Sequence, residues 1–143
     1  MKFLKRLLAL SLIACSIHVM AADPGVSDSS ITLGMSSPFS GTNGSYGQEM
    51  RQTIEAYFEQ INKTGGINGR KLELVTLDDG YETDRSVANS KSLIEEKKVF
   101  ALLAYYGSSP TTESMNKVFG PAKVPLVGTI SGAGMLREPI SAN

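Results

Sequence analysis

The 143 residues hold a single cysteine, Cys15, and a single histidine, His18. Both lie in a stretch that reads as a secretory signal over residues 1–21. Lys2, Lys5 and Arg6 form a basic start, Leu7 to Val19 an apolar run, and Val19-Met20-Ala21 a cleavage site ending on a small residue. Cleavage after Ala21 leaves no disulfide, no thiol nucleophile, no imidazole base and no Cys/His metal cluster. Most hydrolase and zinc-site chemistries are thereby excluded, and neither an enzyme nor a cofactor is expected. Long apolar runs are equally scarce, since this one is shorter than the roughly 20 residues that a membrane helix needs. A second reading of the same stretch takes Leu12-Ile13-Ala14-Cys15 as a lipobox, with Cys15 the lipidated first residue of a lipoprotein. A basic excess is missing too. Removing Lys2, Lys5 and Arg6 from 14 basic residues leaves 11 against 14 acidic ones, a net charge of −3, which is no footprint for nucleic acid.

What remains is punctuated by glycine and proline. Residues 22–29 are polar, include Pro24 and Gly25, and read as a leader. Ile31 to Met35 alternates and forms a first strand, followed by a turn-rich loop, Ser36 to Ser45. Ser45 and Gln48 match a capping box that opens a helix near Tyr46. Met50, Ile54, Tyr57, Phe58 and Ile61 fall on one face of that helix, which stops near Thr64 at Gly65-Gly66. The turn Gly65 to Gly69 calls for positive φ at one or two positions, and no Gly-Lys-Ser/Thr follows to make it a phosphate loop. Lys71 to Leu77 is a second strand. Asp78 to Asp84 is an acidic loop read as solvated, lacking the regular ligand spacing of a calcium site. Asp78, at the strand end, is placed to contact the next loop or a ligand.

Thr83 or Asp84 caps a second helix, with Val87, Ala88, Leu93 and Ile94 inward and Glu95 to Lys98 a solvated end. Phe100 to Ala104 carries no charge and is one strand long, so it reads as a third strand buried on both faces. Pro110 suits the first position of a third helix running to Phe119, with Ser109 as its N-cap. Gly120-Pro121 breaks that helix, and Val124 to Gly128 is a fourth strand whose proline marks its start. The order β-α-β-α-β-α-β predicts an α/β fold, a parallel sheet with helices on both faces.

In such a sheet the loops after the strands share the carboxyl edge, where small ligands settle. Two of these loops are rich in hydroxyls and glycine: Gly107 to Ser109, and Thr129 to Gly134. Ser108 and Ser109 can donate to an anion such as a carboxylate at the start of the third helix, and Thr129 and Ser131 can complete the site. Tyr46 either packs or stands over the crevice and covers an apolar ligand group. Serine catalysis would need a base that is missing, because no Ser-x-x-Lys occurs at Ser108 or Ser109.

Several stretches resemble the amino-terminal lobe of the periplasmic branched-chain (leucine-type) amino-acid binding proteins, the solute receptors of ABC importers. They are Pro38-Phe39-Ser40-Gly41, Tyr46-Gly47, Ile61-Asn62-Lys63-Thr64-Gly65-Gly66-Ile67-Asn68-Gly69-Arg70-Lys71, Leu77-Asp78-Asp79 and Val124-Pro125-Leu126-Val127-Gly128. The resemblance implies a type I periplasmic binding protein lobe over residues 30–138, truncated, with a tail at 139–143. It also implies a periplasmic location, an amino acid or related small carboxylate as ligand, and an importer membrane permease as partner. In that family the ligand's carboxylate and ammonium are held by the loops after the third and fourth strands. Carried over, these are Ser108 and Ser109, then Thr129 and Ser131, with Tyr46 near the ligand side chain. Because the second loop reads Gly-Thr-Ile-Ser-Gly-Ala, both Thr129 and Ser131 stay candidates. Alternatives are the ligand-binding module of a sensory receptor and a non-functional truncated relic.

Overall fold

A computed structural model describes residues 23–137. The signal, the lipobox and the tail at 139–143 lie outside the described residues. Four strands form one parallel sheet in the order β2-β1-β3-β4: β1 (Ser30–Ser37), β2 (Lys71–Asp78), β3 (Ala101–Leu103) and β4 (Leu126–Val127). The register runs from Ser30↔Lys71 to Ser37↔Asp78, with Gly34 opposite Leu102 and Leu102 opposite Leu126. The connections are α1 (Gly44–Lys63), α2 (Thr83–Lys91) and α3 (Ser108–Ser114). The chain steps outward from β1 to β2, then returns across β1 to β3. Right-handed crossovers therefore put α1 on one face and α2 with α3 on the other, and the order reverses between β1 and β3.

The face under α2 and α3 holds the main core, Leu93, Val99, Leu102, Tyr105 and Phe119, flanked by Val75, Leu77, Met115 and Leu126. Its inner lining differs from the expected one. Ala88 is exposed, and Ser86, Ser90 and Leu93 face inward, spaced four and three apart on one helical side. The serines are tolerated because each has a partner. Ser90 donates back to the Ser86 carbonyl at 2.8 Å and pairs with the Tyr105 hydroxyl at 2.8 Å, and Ser114 donates to the Ser86 hydroxyl. Both α2 and α3 run on into a π-helical turn, Ser92–Glu96 and Met115–Phe119.

The face under α1 is thinner. Phe58 is buried, Met50, Ile54 and Ile61 are half-buried, and Tyr57, expected on the same inner face, is 61% exposed. The third strand is shorter than expected, and its first expected residue, Phe100, is 44% exposed. Val127 of β4 is exposed. The leader residues are tied down: Thr32 N–H donates to the Gly25 carbonyl, and Arg70 donates to the Ser27 carbonyl. In the turn after α1, Gly65, Gly66, Asn68 and Gly69 all take positive φ, more positions than expected. Asn62 closes this corner by pairing with both backbone groups of Leu72, its amide donating to the carbonyl at 2.9 Å and its oxygen accepting the N–H at 2.8 Å. That pair of bonds gives the Asn-x-x-Gly-Gly stretch a structural reason, since it covers part of the open edge of β2.

Candidate functional site

The carboxyl edge divides into two halves. On the β1–β2 side, Asp78 gathers both strand-end loops. It accepts the Phe39 N–H at 2.8 Å, the Ser40 hydroxyl at 2.6 Å and the Gly80 N–H at 2.9 Å, and it pairs with Arg85 at 3.1 Å. Partial burial alone would raise its pKa, but these donors together hold the carboxyl well below the ordinary carboxylate range. Asp79 corrects the reading of this loop as solvated. It is fully buried, accepting the Ser36 hydroxyl at 2.8 Å and the Tyr81 N–H at 2.9 Å, and desolvation raises its pKa despite those bonds. Among the described residues no three His, Cys, Asp or Glu side chains converge as a metal site would require.

The β3–β4 side carries the serines. None of the three expected caps forms. The N-cap of α3 is Gly107, at φ 95°, so Ser108, Ser109 and Pro110 occupy the first turn and no side chain caps the helix. The reason is crowding: a Cβ at Gly107 would come within 2.4 Å of the Tyr81 ring, so the chain must turn on a glycine there. Pro110 still costs no hydrogen bond, because first-turn N–H groups have no helical acceptor. Likewise α1 begins at Gly44 with Asn43 as N-cap, and Gln48 reaches the Phe39 carbonyl at 2.8 Å instead of closing a capping box with Ser45. α2 is preceded by Glu82 as N-cap, not Thr83 or Asp84.

The two hydroxyl loops lie side by side. Gly107 N–H donates to the Ile130 carbonyl, Ile130 N–H donates to the Tyr105 carbonyl, and Ser108 and Ser131 hydroxyls meet at 2.9 Å. Ser131 also accepts the Ala133 N–H at 3.0 Å. Each hydroxyl has one proton, so whichever serine donates within the pair, the other keeps an O–H for an outside acceptor. Thr129 is differently committed, donating to the Tyr105 carbonyl at 3.1 Å. Ser109 is exposed beside them. A cleft of about 230 Å³ opens here between Ser108, Ser109, Thr112, Glu113, Ala133 and Met135. Ligand pockets usually exceed roughly 300 Å³ and close around their contents, so these walls amount to one side of a site. Glu113 is held by Lys117 at 2.9 Å. A larger groove of about 420 Å³ between α1 and β2, lined by Glu59, Lys63 and Leu72 among others, opens at the amino end of β2, away from the strand-end loops.

Tyr46 is 54% exposed and stacks on Tyr106, ring centroids 5.3 Å apart and planes within 13°. Tyr81 leans on the other partner, 5.8 Å from the Tyr106 ring and tilted by 59°. Reading the sequence singled out Tyr46 and missed the other two. The available signal was their position, one just after Asp78-Asp79-Gly80 and the other just before Gly107, each in a strand-end loop.

Comparison with known proteins places this arrangement. Over 112 residues the chain is 33% identical to an amino acid binding protein of Pseudomonas aeruginosa, covering 76% of this chain and 28% of that one. A substrate-binding periplasmic protein from Ralstonia solanacearum superposes with a TM-score of 0.72 at 31% identity, over 78% of this chain and 32% of that one. A branched-chain amino acid transporter substrate binding protein from Streptococcus pneumoniae, solved with isoleucine, gives a TM-score of 0.64 at 28% identity, over 71% of this chain and 28% of that one. The chain spans less than a third of the length of each of these relatives. The family model for periplasmic binding proteins matches residues 30–142, and with the sheet order and paired strand-end loops above, the chain belongs to the periplasmic binding protein family, in the fold of its type I amino-terminal lobe.

Proposed function

We propose that the chain is the amino-terminal lobe of an extracytoplasmic solute-binding component of an ABC importer, exported by the signal at residues 1–21, which captures amino acids or similar small carboxylates. The observation that carries this is the Ser108–Ser131 hydroxyl pair at 2.9 Å, which leaves one spare proton at the mouth of the cleft. A solute carboxylate accepts that proton and the exposed Ser109 hydroxyl. Thr129, its proton used on Tyr105, shapes the loop, and Ser131 is the contacting residue of the two. Tyr46 covers the solute's side chain. An opposing lobe supplies the second wall and the acceptor for the ammonium, because among the described residues lining the cleft the one carboxylate, Glu113, is already paired with Lys117. The amino acid binding relative in Pseudomonas and the isoleucine complex support an amino-acid ligand and service to an importer permease. The test is calorimetric titration of the chain, and of a longer form carrying a second lobe, with a panel of amino acids. Ser108→Ala and Ser131→Ala each weaken binding by roughly tenfold, the loss of one hydrogen bond to a charged group. Undiminished binding in the double variant, or no binding by either form, rejects the assignment.

A further inference from the structure

The tyrosines Tyr46, Tyr106 and Tyr81 form a continuous ladder beside the serine pair. Two of the rings stay largely in solvent, Tyr46 at 54% and Tyr81 at 42% exposed. Tyr81 is held at φ 70°, a conformation that a bulky side chain rarely adopts, by its N–H bond to buried Asp79. Such strain persists where the surroundings over-determine it and clusters at ligand contacts. The ladder is joined to the serines through the backbone. Tyr106 bridges Ile130, placing it two residues from Ser108 and within one residue of Ser131 in the neighbouring loop, while the Tyr81 ring packs on Gly107.

We infer that this ladder selects a solute whose carboxylate is borne by an aromatic ring system, the ring lying along the tyrosine wall while the carboxylate meets Ser108 and Ser131. The inference rests on the solute-binding reading above and narrows it. A cationic head group is the other chemistry that tyrosines recognise, but it needs a cage of separated faces. Here Tyr46 and Tyr106 lie nearly parallel with centroids 5.3 Å apart, in contact with each other, so no cation fits between them. A flat, pre-aligned wall instead extends its stack to one more planar group, and aromatic pairs gain beyond area burial what a branched aliphatic chain does not.

The test is saturation-transfer NMR and titration of the chain, and of the longer form carrying a second lobe, with L-phenylalanine, phenylacetate, L-leucine and glycine betaine. The two aromatic carboxylates bind roughly three- to tenfold more tightly than leucine, and saturation passes to their ring protons from tyrosine. Tyr46→Leu, at an exposed site that tolerates change, and Tyr106→Leu each cut the aromatic-to-leucine ratio toward one. Leucine binding as well as phenylalanine, a ratio unmoved by Tyr46→Leu, or betaine binding best overturns the aromatic assignment while leaving the carboxylate site standing, provided that Ser108→Ala still weakens leucine. Failure of all four probes to bind either form overturns both.

Discussion

The two faces of the sheet differ in how completely they are covered. Beneath α2 and α3, Leu93, Leu102 and Tyr105 are fully buried, and the hydroxyls of Ser90 and Tyr105 and of Ser114 and Ser86 are bonded in pairs. Beneath α1, a single helix lies nearest β2; half-buried Met50 and Ile54 with exposed Ile130 border a hollow of about 380 Å³, and Val127 of β4 is exposed. Apolar surface contributes to stability only where it leaves water. The closed face therefore carries the stability of this lobe, and the open face has spare capacity for a neighbour.

The largest expected effect sharpens this contrast. Leu102→Ala, on the closed face, lowers unfolding free energy by about 2–5 kcal/mol, whereas Val127→Ala on the open face costs under about 0.5 kcal/mol. Equal losses in denaturant titrations would break the comparison. Gly107→Ala comes next, because the new Cβ meets the Tyr81 ring and must hold φ near 95°. A destabilisation of about 1–3 kcal/mol is expected, and double substitution with Tyr81→Gly relieves the clash but not the backbone strain.

Tyr105→Phe is milder, about 1 kcal/mol for one lost hydrogen bond, and carries a pH signature. Burial raises the Tyr105 pKa above its ordinary value of 10.0, so its contribution is fully present below that pH and is lost as the pH rises beyond it. The variant should flatten the alkaline limb of stability against pH. A second pH signature lies at the acid end. Asp78, held below its ordinary value of 3.8, stabilises fully above that pH and loses its contribution as the pH falls further. Asp78→Ala should remove that acid limb, and thermal melts taken across the range decide both cases.

The strand pattern was legible because alternation and apolar runs record which faces are covered. Leu72 and Leu74, Ala101 and Leu102, and proline at the start of β4 were all placed by that logic. Caps were not legible. Ser45 and Ser109 have the right chemistry for capping, but Gln48 is drawn to the Phe39 carbonyl and the Tyr81 ring forces the turn onto Gly107, both through contacts distant in sequence. Nor was the inner face of α2 legible, since a serine reads as solvated until a buried tyrosine supplies its partner. For the site, the paired loops were anticipated from strand order, and the Ser108–Ser131 geometry gives that anticipation a distance. Tyr81 and Tyr106 escaped because an aromatic in a loop carries no periodicity to be read.

The carboxylate of Asp78 has a mechanical consequence. By binding Phe39, Ser40, Gly80 and Arg85 at once, it fuses the loops after β1 and β2 into one stiff block. The opposite bank is held instead by dispersed contacts: the Ser108–Ser131 pair, Thr129 donating to the Tyr105 carbonyl, Ala133 N–H on Ser131, and Arg137 on the Ser131 and Ala133 carbonyls. One charge thus fixes the relative position of two loops far apart in the sequence, so that neither shifts without the other.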